Sequence, residues 1–148
     1  MLNSSCLEPG DRLKGWEDRL VDVVASAKAK PYKLGEHDCF RVATAAVEAL
    51  TGQDLWVPWA GKYKSKTAAL KRIAAFGRDF TAAASKLFAV EPGPMPLARR
   101  GDICEFFFNG EQHLGIVMGI DVAVLGEEGL IHVPRSACKH FWAIGWRA

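Results

Sequence analysis

Cys39 follows the polar loop Gly35-Glu36-His37-Asp38 and opens a run in which Phe40, Ala43, Val47 and Leu50 recur at helical spacing. A cysteine at a helix start feels the positive end of the helix dipole and unpaired backbone N–H groups. Both lower a thiol pKa and favour the nucleophilic thiolate. The same place also suits a small buried hydrophobe, so a catalytic reading needs a base. His113 supplies one, just before Leu114-Gly115-Ile116-Val117-Met118-Gly119. Strand alternation puts His113, Gly115 and Val117 on one face. Gly115 leaves room on that face for a packed helix N-terminus. His132, in Gly129-Leu130-Ile131-His132-Val133-Pro134, is the candidate third member, a polar group that fixes the imidazole tautomer. The order is nucleophile on a helix, then base and orienter on a sheet, which is the logic of an activated nucleophile. The plain alternatives are a surface histidine at a strand end for His113 and a solvent-facing edge histidine for His132.

Composition narrows what such a constellation serves. The chain has 148 residues, 49% hydrophobic and 24% charged, which excludes disordered and low-complexity classes and suits one domain. A net charge of +2 is too small for phosphate-backbone binding as a main activity, so nucleic acid is not an expected partner. The four cysteines, Cys6, Cys39, Cys104 and Cys138, form no C-x-x-C and are expected as thiols. His37-x-Cys39 and Cys138-x-His140 are spaced too tightly for a usual metal turn, so neither a metal nor another cofactor is expected. The N-terminal Met-Leu-Asn-Ser-Ser-Cys has no basic region followed by an apolar run, so no signal peptide is expected. Its Leu2…Cys6 pattern faintly suggests a lipid-attachment box, without the apolar segment that would precede one. No apolar stretch reaches the ~18 residues of a membrane span.

The elements that must position these residues fall into two halves. Leu13, Trp16, Leu20, Val23, Val24 and Ala27 predict a first helix that Pro31 ends. A second helix starts at Asp38 or Cys39 and closes at Thr51-Gly52. Ser65 or Thr67 caps a third that stops at Gly77, and a short fourth covers Asp79 to Phe88. Glu91-Pro92-Gly93-Pro94-Met95-Pro96-Leu97 is too proline-rich for helix or central strand and reads as a connecting loop. Beyond it, 103–108 and 112–118 flank Asn109-Gly110, the strongest short hairpin signal. Further strands are expected at 122–125, 130–133 and 141–146. Helices first and antiparallel strands after is an α+β pattern. The five tryptophans read as core or interface anchors, with Trp56-Val57-Pro58-Trp59 the pair most expected to be exposed. Lys62, Lys64 and Lys66 read as a solvated face.

Four blocks resemble NlpC-type cell-wall peptidases. Pro31-Tyr32-Lys33-Leu34-Gly35 with Asp38-Cys39 is similar to the segment leading into their catalytic cysteine. Arg100-Gly101-Asp102-Ile103-Cys104-Glu105-Phe106-Phe107 resembles their Gly-Asp-Leu-Val-Phe-Phe strand. His113-Leu114-Gly115-Ile116-Val117-Met118-Gly119 and Ile131-His132-Val133 resemble the blocks carrying their second and third residues. The resemblance implies a papain-like α+β domain that hydrolyses amide bonds of peptidoglycan stem peptides without metal. Cys39 would be nucleophile, His113 base and His132 orienter, with Tyr32, Asp38 and His37 as oxyanion or substrate-binding residues. Trp16-Glu17-Asp18-Arg19-Leu20, Gly35-Glu36-His37-Asp38-Cys39, Thr51-Gly52 and Trp142…Trp146-Arg147 further resemble a phage-tail branch of unrecorded function. That implies a virion component near the tail hub, with tail-tip proteins and peptidoglycan as partners. Phe40-Arg41 departs from the family's small Ser-Gly and implies a bulkier, more basic groove beside the thiol. It also motivates an alternative, a tail-tip assembly module with little or no hydrolysis.

Overall fold

A computed structural model describes residues 6–145. Four helices precede five strands: α1 (Trp16–Ala29), α2 (Cys39–Thr51), α3 (Lys66–Gly77), α4 (Phe80–Phe88), β1 (Ile103–Phe108), β2 (Glu111–Val117), β3 (Asp121–Gly126), β4 (Gly129–Pro134) and β5 (Cys138–Trp142). The architecture is α+β, as the sequence pattern predicts. Helix starts follow their caps, since Asp38, Ser65 and Asp79 each accept a backbone N–H from the first turn of α2, α3 and α4. Such bonds satisfy donors that have no intrahelical partner. No helix among the described residues is long and apolar enough to cross a membrane.

The strands form one antiparallel sheet in the order β4-β3-β2-β1-β5. Asn109 and Gly110, with φ of 50° and 76°, make the expected turn, and Phe106 pairs with His113 across it. β5 departs from the expected 141–146. Its pairing with β1 begins at Phe106↔Cys138 and ends at Ile103↔Trp142. Beyond it, the Ile144 N–H is donated to the Asp102 carboxylate instead of to a neighbouring strand. Leu2, Trp146 and Arg147 lie outside the described residues.

The two faces of the sheet have different partners. Ile103, Leu114, Ile116, Leu125 and Trp142 pack with Leu20, Val47, Leu50 and Phe88 of the helices. The opposite face, with Cys104, Phe106, Val117, Val122 and Val124, lies under Met95 and Ala98 of the proline-rich segment. Gly115 belongs to this second face. A Cβ there would stand 2.6 Å from Val122 Cγ1, so the glycine makes room for a β3 valine and not for a helix N-terminus.

Buried carboxylates hold the layers in register. Asp102, without solvent exposure, accepts the Arg12 guanidinium at 2.9 Å, the Arg99 N–H at 2.8 Å and the Ile144 N–H at 3.0 Å. Arg12 also donates to the carbonyls of Arg100 and Ile144, closing the two ends of the domain together. Glu105, equally buried on the helix face of β1, accepts from Thr81, Gln112 and His140 at 2.8–2.9 Å.

Candidate active site

Asp38 fixes where the thiol stands. Its Oδ1 accepts the Arg41 N–H, while Oδ2 accepts the Gly35 N–H at 2.9 Å and the Tyr63 hydroxyl at 2.6 Å. Gly35 has φ of 85°, and a Cβ there would run into the Tyr63 carbonyl, so the turn before Cys39 requires glycine. Asp38 is therefore a brace. A buried anion already holding three donors would repel an oxyanion, which removes it as an oxyanion-binding residue. His37 also leaves that set, because its Nε2 lies 3.0 Å from the Ala27 carbonyl of α1 and the side chain does not line the cavity beside Cys39.

That cavity has a volume of about 260 Å³ and brings Cys39, Tyr32 and His113 to one space. Phe40, Trp59, Ala84, Leu87 and Leu125 make much of its wall. Phe40 also packs edge-on against Trp59 at 5.0 Å, so the bulk beside the thiol is part of an aromatic wall. Trp59, expected in an exposed loop, is buried there.

The thiol does not behave as the helix dipole alone predicts. The N–H groups of Leu114, Cys39 and Phe40 do pull its pKa down. Burial outweighs them and, with the Asp38 charge, pushes it up to about 12. Cys39 therefore rests as a neutral thiol. Burial lowers the pKa of His113, with Lys66 lowering it further and Glu111 and Glu127 opposing. The imidazole rests neutral and free to take a proton. Tyr32 is raised to about 12, first by burial and then by the Asp38 charge, so its phenol stays a hydrogen-bond donor. Among the described residues no hydrogen bond joins the His113 ring to the thiol; the ring shares its strand face with Phe106, 6.3 Å away between centroids.

His132 is elsewhere. It pairs with Ala123, which pairs with Ile116, two strands and three residues from His113. Strand spacings place the two backbones roughly 14 Å apart. Its Nδ1 lies 3.4 Å from the Asp121 carboxylate on the exposed edge of the sheet. The third role implied by the resemblance therefore does not fall to His132.

A family model described as a domain of unknown function (DUF6950) matches residues 11–144. The chain belongs to this family. No curated protein and no solved structure matches it. The span of this DUF6950 match begins and ends beside the Arg12–Ile144 closure.

Three further residues that no sequence motif marks stand around the candidate site. Tyr63 braces Asp38. Lys66, read as part of a solvated face, bridges Glu111 at 2.6 Å and Glu127 at 3.1 Å beside His113. Gln112 lines the cavity while donating to Glu105. A lysine i, i+2 run and a strand glutamine carry no positional signal of their own, so only the fold could connect them.

Proposed function

We propose that this domain is a cysteine-dependent amidohydrolase of the papain-like, NlpC-type kind. The observation that carries the reading is that one cavity is lined by Cys39, Tyr32 and His113; their roles come from the sequence resemblance. Neutral thiol and neutral imidazole define the chemistry. As Cys39 Sγ attacks the scissile carbonyl, its proton passes to His113, and the imidazolium returns that proton to the leaving amine. Water activated by His113 then cleaves the thioester and releases the acid. The Tyr32 hydroxyl and the backbone N–H groups at Cys39 are the available oxyanion donors.

The resemblance supports peptidoglycan stem peptides as substrate and a phage tail tip as the setting, cutting the wall during genome entry. Release of soluble muropeptides from purified wall by wild type, and its absence with Cys39→Ala, is the expected outcome. Equal release by the two proteins overturns the reading.

A second reading, a tail-tip assembly module with weak or absent hydrolysis, is favoured by the thiol's raised pKa and by the missing hydrogen bond to His113. It gains nothing from Trp142, which is fully buried against Phe88 and offers no surface to a partner. It expects Cys39→Ala tails to assemble and infect at the wild-type rate; a defect confined to wall penetration argues for the enzyme.

A further inference from the structure

The cavity beside Cys39 is walled largely by apolar side chains. Its buried wall is Ala84, Leu87, Leu114 and Leu125. Across from them stands α3, which has no buried residue although Ala69, Leu70 and Ile73 line the same space. Leu70 is 62% exposed. An amphipathic helix normally seals its apolar face against the core; this one leaves that face bordering the cavity.

The charges of the lining are already committed. Asp38 holds Gly35, Arg41 and Tyr63, and Lys66 holds Glu111. A charged group laid against the apolar part of this wall would meet no unpaired opposite charge there, at the cost of its desolvation. A hydrocarbon brings no such cost. A cavity of ~150 Å³ admits a six-carbon ring, so 260 Å³ takes roughly ten carbons on the same scale.

We propose that this cavity is an acyl-chain seat and that the Cys39 site also hydrolyses medium-chain acyl esters, with the chain packed between α3 and the Ala84–Leu125 wall. The inference rests on the reading of Cys39 as nucleophile. Sγ bonds to the acyl carbon as the ester C–O bond breaks, and the alkoxide leaves with the proton that His113 took from the thiol. Water then adds to the thioester, yielding the carboxylic acid and the free thiol.

The test is a series of para-nitrophenyl esters from acetate to tetradecanoate, below their micelle concentrations. It is run with wild type, Cys39→Ala and Ile73→Trp, beside calorimetric binding of the matching carboxylates to Cys39→Ala. The expected kcat/KM rises roughly 4-fold per methylene, the scale of burying one CH₂, and turns over near ten carbons. Ile73→Trp, on a half-buried face that can carry the larger ring, is expected to lower the ratio of decanoate to acetate turnover at least tenfold. Ala69→Trp repeats the test from another turn of α3. A flat chain-length profile with Cys39-dependent turnover overturns the acyl seat and leaves the thiol reading standing. Chain-dependent binding without Cys39-dependent turnover overturns the esterase and keeps the seat. Neither binding nor turnover overturns both.

Discussion

Asp102, buried, and Cys39, half-buried, are both polar groups at the ends of elements, and the protein treats them in opposite ways. Asp102 is saturated: a guanidinium and two backbone N–H groups meet its two oxygens within 3.0 Å. Glu105, one turn of the pleat away, is met by three side chains. Cys39 receives backbone N–H groups alone, beside an apolar space, and the His113 ring has no hydrogen-bond partner among the described residues. A buried acceptor supplied with every donor holds loops and layers in place, because removing any partner exposes the full desolvation cost of the rest. A group kept short of partners next to empty space retains its binding capacity for a ligand. Scaffold and candidate site are thus separable by counting donors.

The sharpest way to break this comparison is to mutate both sides and read both properties. His113→Gln is expected to lower hydrolysis by roughly 10²–10⁴-fold, the usual contribution of a general base. Its melting temperature should stay near that of wild type, because no hydrogen bond is lost. Unchanged turnover would remove His113 from the mechanism. Asp102→Ala should do the reverse in kind. Leaving Arg12 buried without its carboxylate costs about 3–5 kcal/mol, read as a fall in the denaturant midpoint. A loss below about 1 kcal/mol would show that the loops hold without the pair.

The comparison also explains what was legible in the sequence. The elements were, because each carries its own local signal: Asp38, Ser65 and Asp79 cap their helices, and Asn109-Gly110 turns its hairpin. Cys39 and Tyr32 were legible because they stand in ordered motifs around a helix start. His113 was legible by type and neighbours, and so was the face it shares with Gly115 and Val117, though what packs on that face was not. Gly115 reads identically whether it yields to a helix or to Val122, and only register decides. His132 misled because a His in an apolar strand looks the same at an exposed edge as in a site, and strand order is a non-local property. The Cys39 pKa misled for a different reason. The helix-start effect is visible in sequence, but burial and the Asp38 charge that overcome it are properties of packing. The Asp102 and Glu105 hubs draw partners from positions 12, 81, 140 and 144, separations that no local pattern encodes.

Glu105→Gln sharpens the scaffold side at lower cost. The amide keeps one acceptor for Thr81 or His140 but turns an NH₂ toward a donor that the carboxylate had accepted. A loss of about 1–3 kcal/mol in denaturant unfolding is expected, the scale of one buried group left unsatisfied. His140, edge-on to Trp142 at 5.1 Å, should report the change through tryptophan fluorescence. A neutral outcome in both measurements would mean that water replaces the lost acceptor.

The smallest expected effect concerns pH and belongs to the site side. Burial holds His113 below its ordinary value of 6.5. The unfolded chain therefore binds a proton at this position before the folded chain does. Where the unfolded state binds more protons, stability rises with pH. It must accordingly fall as pH drops through about 6.5, and the loss levels off once pH passes below the folded value. Lys66 works in the same direction, while Glu111 and Glu127 oppose it. The difference in unfolding free energy between wild type and His113→Gln, followed from pH 8 to pH 5, isolates this term from His37, His132 and His140, which both proteins retain. Wild type should lose more stability than the variant across that window. Parallel curves would mean that the imidazole is as well solvated in the fold as in the open chain, and the contrast with the saturated Asp102 hub would then rest on Cys39 alone.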